Sequence, residues 1–373
     1  MSPTKGLGMN LTKVIIAPDS FKGALTAREA TDIIADEVKL AFPGCEVIKM
    51  PIADGGEGSV DAILSAIGGV ITDAAVLSPD NRMINARFGI AHSGAAIIEM
   101  AQSSGITRQV GLHPMTSNTY GFGQMISKAL STRSFTLCIG GSATTDGGCG
   151  MAAALGVKFF NRQGDSFIPC GETLRFIERI DMSGIDKRIT ESIFTVMCDV
   201  DNPLYGEHGA AYIYGPQKGA DPEQVKILDE GLRHYGNVLK KHFGKNFSEI
   251  PGAGAAGGLG AGCMAFLGAD LKSGIDAILE LYSFRSQLQG ADLVITGEGK
   301  LDSQSFQGKV LSGIIRESGN VPIVVICGAC ECDTVLLKEK GITVFEASEG
   351  ITVEESMDKP EKYLRLAAKK AML

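Results

Sequence analysis

The stretch "KVIIAPDSFKGALTAREATDIIADEVKLAF" (Lys13–Phe42) decides the fold, because it holds one full step of an α/β chain. Val14–Ala17 is a short apolar run suited to a parallel strand buried on both faces. Ala30, Ile33, Ile34, Val38, Ala41 and Phe42 then recur with helical spacing. Thr26 and Glu29 have capping-box spacing at the start of that helix, and Pro43-Gly44 ends it. Strand, loop and helix therefore follow in order. A second step comes directly after it: "EVIKMPIA" as strand, "DGGEG" as loop, and Val60, Ile63, Leu64 and Ile67 along one helix face before Gly68-Gly69.

The same order returns late in the chain. "ADLVITGEG" reads as a strand opening into a glycine loop and "GKVLSGIIRESG" as an amphipathic helix, while "VPIVVICGA" and "GITVFEAS" read as further buried strands. Alternation of this kind predicts a parallel sheet with helices on both faces and ligands bound beyond the carboxyl ends of its strands. The middle of the chain differs. "RMINARFGIAHSGAAIIEM" alternates like a hairpin, and glycine-rich loops multiply. The expected fold class is α/β with two domains: a discontinuous first domain over residues 10–69 and 285–373, and a second inserted over 70–284. A cleft between them is the expected site.

The chain has 373 residues, 44% of them apolar, and a net charge of -8. That length supports two cores. The acidic balance argues against nucleic acid or an acidic membrane as partner. Neither a signal-peptide layout nor an uncharged apolar run near the roughly 18 residues of a membrane helix appears, so a cytoplasmic protein with no membrane partner is expected. Met1–Asn10 is polar and patternless and reads as an extension ahead of a start at Met9. The nine cysteines are scattered, several within apolar runs, and read as reduced. "CGACEC", with Cys327, Cys330 and Cys332, invites a metal or redox reading, but no matching pair elsewhere completes it.

Five loops follow apolar runs and combine acids with glycines. "PDSFKGAL" offers Asp19, Ser20, Lys22 and Gly23 before a helix start, where a lysine can join backbone N–H groups on an anion or simply stay solvated. "PIADGGEGSV" offers Asp54 and Glu57 around Gly55 and Gly56, acids that either cap the next helix or hold a divalent ion. "CIGGSATTDGGCG" (Cys138–Gly150) offers Gly140, Gly141, Ser142 and Thr144 and no lysine or arginine, so an anion held there needs its cation from elsewhere. "MCDVDNPLYGEHGAA" offers Asp199, Asp201 and Asn202. Pro203 defeats the calcium-loop pattern and leaves an Asx turn, Mg²⁺ binding or proton abstraction open. "TGEGKLDSQSFQGK" offers Glu298, Lys300, Asp302, Gln304 and Lys309 for a phosphorylated or polyhydroxylated ligand, or for a plain turn.

Beside these, "GPQKGA" adds Lys218 and "PGAGAAGGLGAG" adds Gly257 and Gly258. The second string contains GxGxxG, yet no strand precedes it, so the dinucleotide fingerprint fails. HExxH and GxSxG are absent, which leaves zinc hydrolysis and Ser-His-Asp chemistry unsupported. Acid-glycine loops repeated at strand ends point instead to phosphoryl transfer.

Taken in order, "APDSFKGALTA", "PIADGGEG", "GGSATTDGGCGMAAALG", "CDVDNPL", "GPQKGA", "PGAGAAGGLG" and "DLVITGEGKLDSQSFQGK" resemble the signature segments of the type-1 glycerate kinase family from Met9 to the C-terminus. The departures are "GALTA" where "GSLSA" is common and Lys300 where Arg is frequent. The resemblance implies two α/β domains, one of them a flavodoxin/Rossmann-like parallel-sheet domain. It also implies transfer of the γ-phosphoryl of ATP to D-glycerate with Mg²⁺, giving 2-phosphoglycerate. On this reading the Cys138–Gly150 loop cradles an anion, Lys22, Lys218 and Lys300 supply positive charge, Asp199 is the base, and Asp54 and Asp201 stand on the metal side. Asp19, Ser20, Gly23, Gly55, Gly56, Gly140, Gly141, Ser142, Thr144, Asn202, Gly257, Gly258, Glu298 and Gln304 join the substrate and nucleotide contacts. A homo-oligomer is compatible with the sequence. The rival readings are a non-catalytic sugar-acid-binding regulator and a NAD-dependent oxidoreductase.

Overall fold

The computed structural model describes residues 11–52, 55–56, 58–306, 310–333, 337 and 341–373. The expectations placed on Met1–Asn10, Asp54, Glu57 and Lys309 therefore fall outside the described residues. Contacts divide the chain into two compact units: Met1–Asp54, Ser65–Ile67 and Ile275–Leu373 form the first, Gly55–Leu64 and Gly68–Gly274 the second.

The first unit is built on a five-stranded sheet in the order Ile342–Glu346, Ile323–Cys330, Leu293–Leu301, Lys13–Ile16, Glu46–Lys49. Every neighbouring pair is parallel. Numbered within the unit, this is the flavodoxin order 2-1-3-4-5, and the direction in which successive strands are added switches between Lys13–Ile16 and Leu293–Leu301. Val14, Ile15 and Ile16 are all fully buried although successive side chains point to opposite faces, so both faces of the sheet are covered. On one face Val14, Ile16, Leu293 and Ile295 pack against the helices Ala27–Ala41 and Pro360–Met372.

The capping box is formed. The Thr26 hydroxyl accepts the Glu29 N–H at 3.2 Å, and the Glu29 carboxylate accepts the Thr26 N–H at 2.8 Å. Thr26→Ala is expected to lower stability by about 1 kcal/mol, seen as a lower urea midpoint with an unchanged slope. An unchanged midpoint would mean that this cap contributes nothing.

One element differs from expectation. The "TGEGK" stretch read as a loop continues the strand Leu293–Leu301, paired with its neighbour as far as Leu301↔Cys330. Crowding explains its glycines. A Cβ on Gly297 would lie 2.1 Å from the Ile326 carbonyl oxygen, and one on Gly328 would lie 2.4 Å from that of Gly299.

The second unit carries a six-stranded mixed sheet in the order Asp270–Lys272, Ile193–Met197, Ser134–Cys138, Ala96–Glu99, Met83–Ala91, Gly69–Leu77. The first four strands run parallel; the hairpin read in the sequence pairs Met83–Ala91 antiparallel with the fourth, Ala96–Glu99, and Gly69–Leu77 adds an antiparallel edge strand. A small three-stranded antiparallel sheet and the 22-residue helix Pro222–Phe243 complete the unit. That helix starts with an Asp221/Gln224 capping box and Pro222 and stops at Gly244, whose backbone is left-handed.

Candidate active site

In the first unit the loop after Lys13–Ile16 is bound to the neighbouring strand, the Asp19 N–H donating to the Gly297 carbonyl at 2.8 Å. Phe21 and Leu25 exchange backbone hydrogen bonds at 2.8 and 2.9 Å, closing a tight turn that carries exposed Lys22 and left-handed Gly23 (φ 79°). Beneath this turn lies a cavity of about 550 Å³ at the carboxyl ends of the strands, beside the point where the strand order switches. Asp19, Ser20, Lys22, Glu298 and Lys300 all line it, joined by Asp302 and Glu331. The Lys300 ammonium is paired with Glu331 at 2.9 Å, so its charge is already countered. Glu298 and Lys300 reach the cavity together because they sit two residues apart on one strand. Gln304 lies on the helical turn Ser303–Phe306.

In the second unit, loops gather at the carboxyl ends of three parallel strands. The Gly140 N–H donates to the Gly55 carbonyl at 3.2 Å, Cβ positions built on Gly140 would crowd Gly55 and Gly56, and one built on left-handed Gly55 (φ 78°) would lie 3.2 Å from the Met197 Cβ. Gly141 approaches Ala101 in the same way. Glu99, at the end of its strand, accepts the N–H groups of Val60 (2.6 Å) and Gly58 (3.3 Å), capping the helix Ser59–Ile67. Burial raises the Glu99 carboxyl above its ordinary range.

The Cys138–Gly150 loop was expected to aim its N–H groups at a bound anion. Two of them, on Gly148 and Gly150, are aimed at the protein's own carboxylate instead. Fully buried Asp146 accepts the N–H groups of Thr119 (2.8 Å), Gly148 (3.2 Å) and Gly150 (3.0 Å) and the Thr119 hydroxyl (2.7 Å). Burial raises its carboxyl, while these donors oppose the shift. At Gly148 and Gly150 an internal carboxylate takes the donors that a ligand would otherwise need.

Lys218 was expected as a ligand cation, but it is only 2% exposed. Its ammonium donates to the Thr144 carbonyl at 2.6 Å and to the Ser142 hydroxyl at 3.4 Å, so it braces the loop from inside. The Ser142 hydroxyl in turn donates to the Ala256 carbonyl at 3.3 Å. Gly257 (φ 71°) packs backbone to backbone on this loop, and a Cβ there would fall 2.0 Å from the Thr144 oxygen. Gly258 (φ 90°) is tight against Leu204.

Burial pulls the Lys218 ammonium down to about 7, with Asp146 nearby opposing the shift. Between pH 7 and 10.5 the unfolded chain would keep a proton that the folded chain has released, so this group makes stability rise with pH in that window, and below pH 7 its full penalty applies. Relative to Lys218→Met, the wild type is expected to gain about 2 kcal/mol between pH 7 and 9 in urea unfolding. Parallel pH profiles for the two proteins would refute this.

Asp199 follows the strand Ile193–Met197, and its carboxylate accepts the Gly274 N–H at 2.7 Å at the start of the helix Gly274–Leu281. Asn202 is held at both ends of its amide, donating to the His208 carbonyl (2.8 Å) and accepting from the Tyr214 hydroxyl (2.6 Å), so it organises the turn. Asp201 is exposed. Glu99 and Asp146 were not read as site residues. The signal for Glu99 was an acid ending the wholly apolar run "AIIE".

Among the described residues, no three or more His, Cys, Asp or Glu side chains gather as a metal cage. Mg²⁺ commonly keeps waters and is held by one or two carboxylates together with substrate phosphates, so open Asp201 fits an ion that arrives with a nucleotide. Cys327 is buried and Cys332 has its thiol pushed up to about 11 by burial first and Cys330 next. Neither favours the thiolate that metal or redox chemistry needs.

Comparison with known proteins gives one answer over the full length. The model for the Glycerate kinase family matches residues 14–373. A glycerate kinase of Bacillus subtilis (strain 168) is 40% identical over 366 residues, covering 96% of each chain. A glycerate 2-kinase of Escherichia coli (strain K12) is 40% identical over 353 residues, covering 92% of this chain and 93% of that one. A crystal structure from Salmonella typhimurium LT2, provisionally named glycerate kinase 2, superposes with a TM-score of 0.86 at 36% identity, covering 97% of this chain and 98% of that one. With a matching family model, curated relatives at this identity and a shared fold all running nearly end to end, the chain belongs to the glycerate kinase family.

Proposed function

We propose that this chain is a glycerate kinase that moves the γ-phosphoryl group of ATP onto the 2-hydroxyl of D-glycerate. The observation that carries the reading is the end-to-end family match in a chain whose strand-order switch point opens into a cavity lined by Asp19, Lys22 and Glu298. Asp199 takes the proton from the glycerate hydroxyl. The hydroxyl oxygen bonds to the γ-phosphorus as the bond to the β–γ bridging oxygen breaks, and that electron pair leaves on ADP. Lys22, exposed at the tip of its turn, neutralises phosphate charge. Lys218 acts through the loop it braces and is a positioning residue. Mg²⁺ bound with the nucleotide supplies charge neutralisation at the phosphates, with Asp201 as its protein-side partner.

Nine free cysteines suit the reducing cytoplasm, where ATP is available. Phosphorus NMR of a reaction containing ATP, Mg²⁺ and D-glycerate tests the proposal. A 2-phosphoglycerate resonance that grows with ADP supports it. ATP left intact, with D-glycerate present at high concentration, would overturn it.

A further inference from the structure

The small antiparallel sheet of the second unit carries a cavity of about 450 Å³ that belongs to none of the acid-glycine loops, since its whole lining falls between Asn161 and Glu178. On one rim is the turn between the strands Lys158–Phe160 and Ser166–Phe167, which places Arg162 near its tip. Left-handed Gly164 (φ 88°) and the Asn161 side-chain oxygen, which accepts the Asp165 N–H at 2.9 Å, close that turn. On the other rim the helical turn Gly171–Phe176 presents Arg175 and Phe176, and its start is tied by the Thr173 hydroxyl, which accepts the Cys170 N–H at 2.8 Å. Half-buried Phe167 and buried Ile177 complete the apolar part, and the Ile177 carbonyl accepts the His234 ring N–H at 2.7 Å from the long helix Pro222–Phe243. Hydrogen bonds thus fix both rims before anything binds.

The lining is positive on balance in an acidic chain. Arg162 and Arg175 are opposed by one acid, Glu178, and among the described residues no carboxylate pairs with either guanidinium. Arg175 lies 4.9 Å from the centroid of the Phe176 ring, which is left 52% exposed. A guanidinium held over a ring keeps its N–H edge for a carboxylate, which it grips through two parallel hydrogen bonds. Exposed cations alone hold a small carboxylate weakly, because water and salt screen them. Phe167 and Phe176 add the ring surface that a flat apolar body needs, and Glu178 disfavours a second negative charge. We infer that this cavity is a binding site for an aromatic carboxylic acid, its carboxylate held by Arg162 and Arg175 and its ring on Phe176. The cavity's volume lies within the ordinary range for small-molecule sites. Such a site goes beyond the proposed kinase chemistry and uses none of its residues.

The test is a ligand-observed NMR titration of the full chain with 2-naphthoate, its neutral counterpart 2-naphthalenemethanol, and acetate. 2-Naphthoate is expected to bind with a Kd of about 1 mM or tighter, and the alcohol and acetate each at least about tenfold more weakly. ATP and D-glycerate are expected to leave its affinity within about twofold. The double variant Arg162→Gln/Arg175→Gln and the variant Phe176→Ser alter exposed side chains only, and melting curves check that both fold. Each is expected to weaken 2-naphthoate at least about tenfold, while Phe176→Trp, which keeps an aromatic face, stays within about threefold of wild type. Should either variant unfold, Arg175→Lys or Phe176→Leu takes its place, with the same direction expected. No saturation by 2-naphthoate up to about 10 mM, equal affinity for the alcohol, unchanged affinity in the folded variants, or displacement by ATP or D-glycerate would each overturn the inference.

Discussion

Asp199→Asn is expected to lower kcat by about 10²–10⁴-fold with little change in either KM, because it removes a proton acceptor and leaves the surrounding structure alone. The geometry makes this substitution informative. The Asp199 carboxylate accepts the Gly274 N–H at 2.7 Å, and a Cβ on Gly274 would sit 2.8 Å from the second carboxylate oxygen, so the residue is packed tightly at a helix start. Asn keeps an oxygen for that N–H and nearly the same shape. Asp199→Ala would lose the cap as well, confounding a loss of folding with a loss of chemistry. Steady-state kinetics and a melting curve on the Asn variant separate the two. A kcat within about threefold of wild type at an unchanged melting temperature would reduce Asp199 to a cap and send the search for the base elsewhere.

Asp146→Ala is expected to cost at least about 4 kcal/mol, enough to threaten folding. Three backbone N–H groups and the Thr119 hydroxyl lose their shared acceptor in a region closed to water, and a small void opens where the carboxylate stood. Asp146→Asn should be milder. Its amide oxygen replaces one acceptor, while its NH₂ group meets donors. Urea unfolding at pH 7 reads both variants, and the expected order of stability is wild type, Asn, Ala. An Ala variant within about 1 kcal/mol of wild type would show that the loop re-pairs its donors in another way.

The two predictions mark two ways in which an acid beside glycines can function. Asp146 and Asp199 look alike in sequence, each a carboxylate in a turn after a β-strand. One is sealed in the interior with four donors around it. The other stands at a loop that the proposed chemistry can use. The glycines divide likewise. Gly257 and Gly297 are required by backbone atoms about 2 Å from any Cβ they might carry, whereas Gly23 is required by its turn, which holds Lys22 over the cavity.

By itself the sequence determined the α/β class, the parallel strands, the Thr26–Glu29 cap and the hairpin of Met83–Ala91 with Ala96–Glu99, because each is written in neighbouring residues: continuous apolar runs for strands buried on both faces, helical spacing, and cap chemistry. Its signature segments also carried the family resemblance. Only the tertiary structure decided which groups meet. Lys218 braces Thr144 from 74 residues away, Asp146 takes donors from Thr119, 27 residues before it, and Glu99 caps a helix 39 residues upstream. Asp19 and Glu298 come to one cavity only because their strands are neighbours in the sheet. The energy of a buried charge depends on what surrounds it in space, and local sequence does not record that environment.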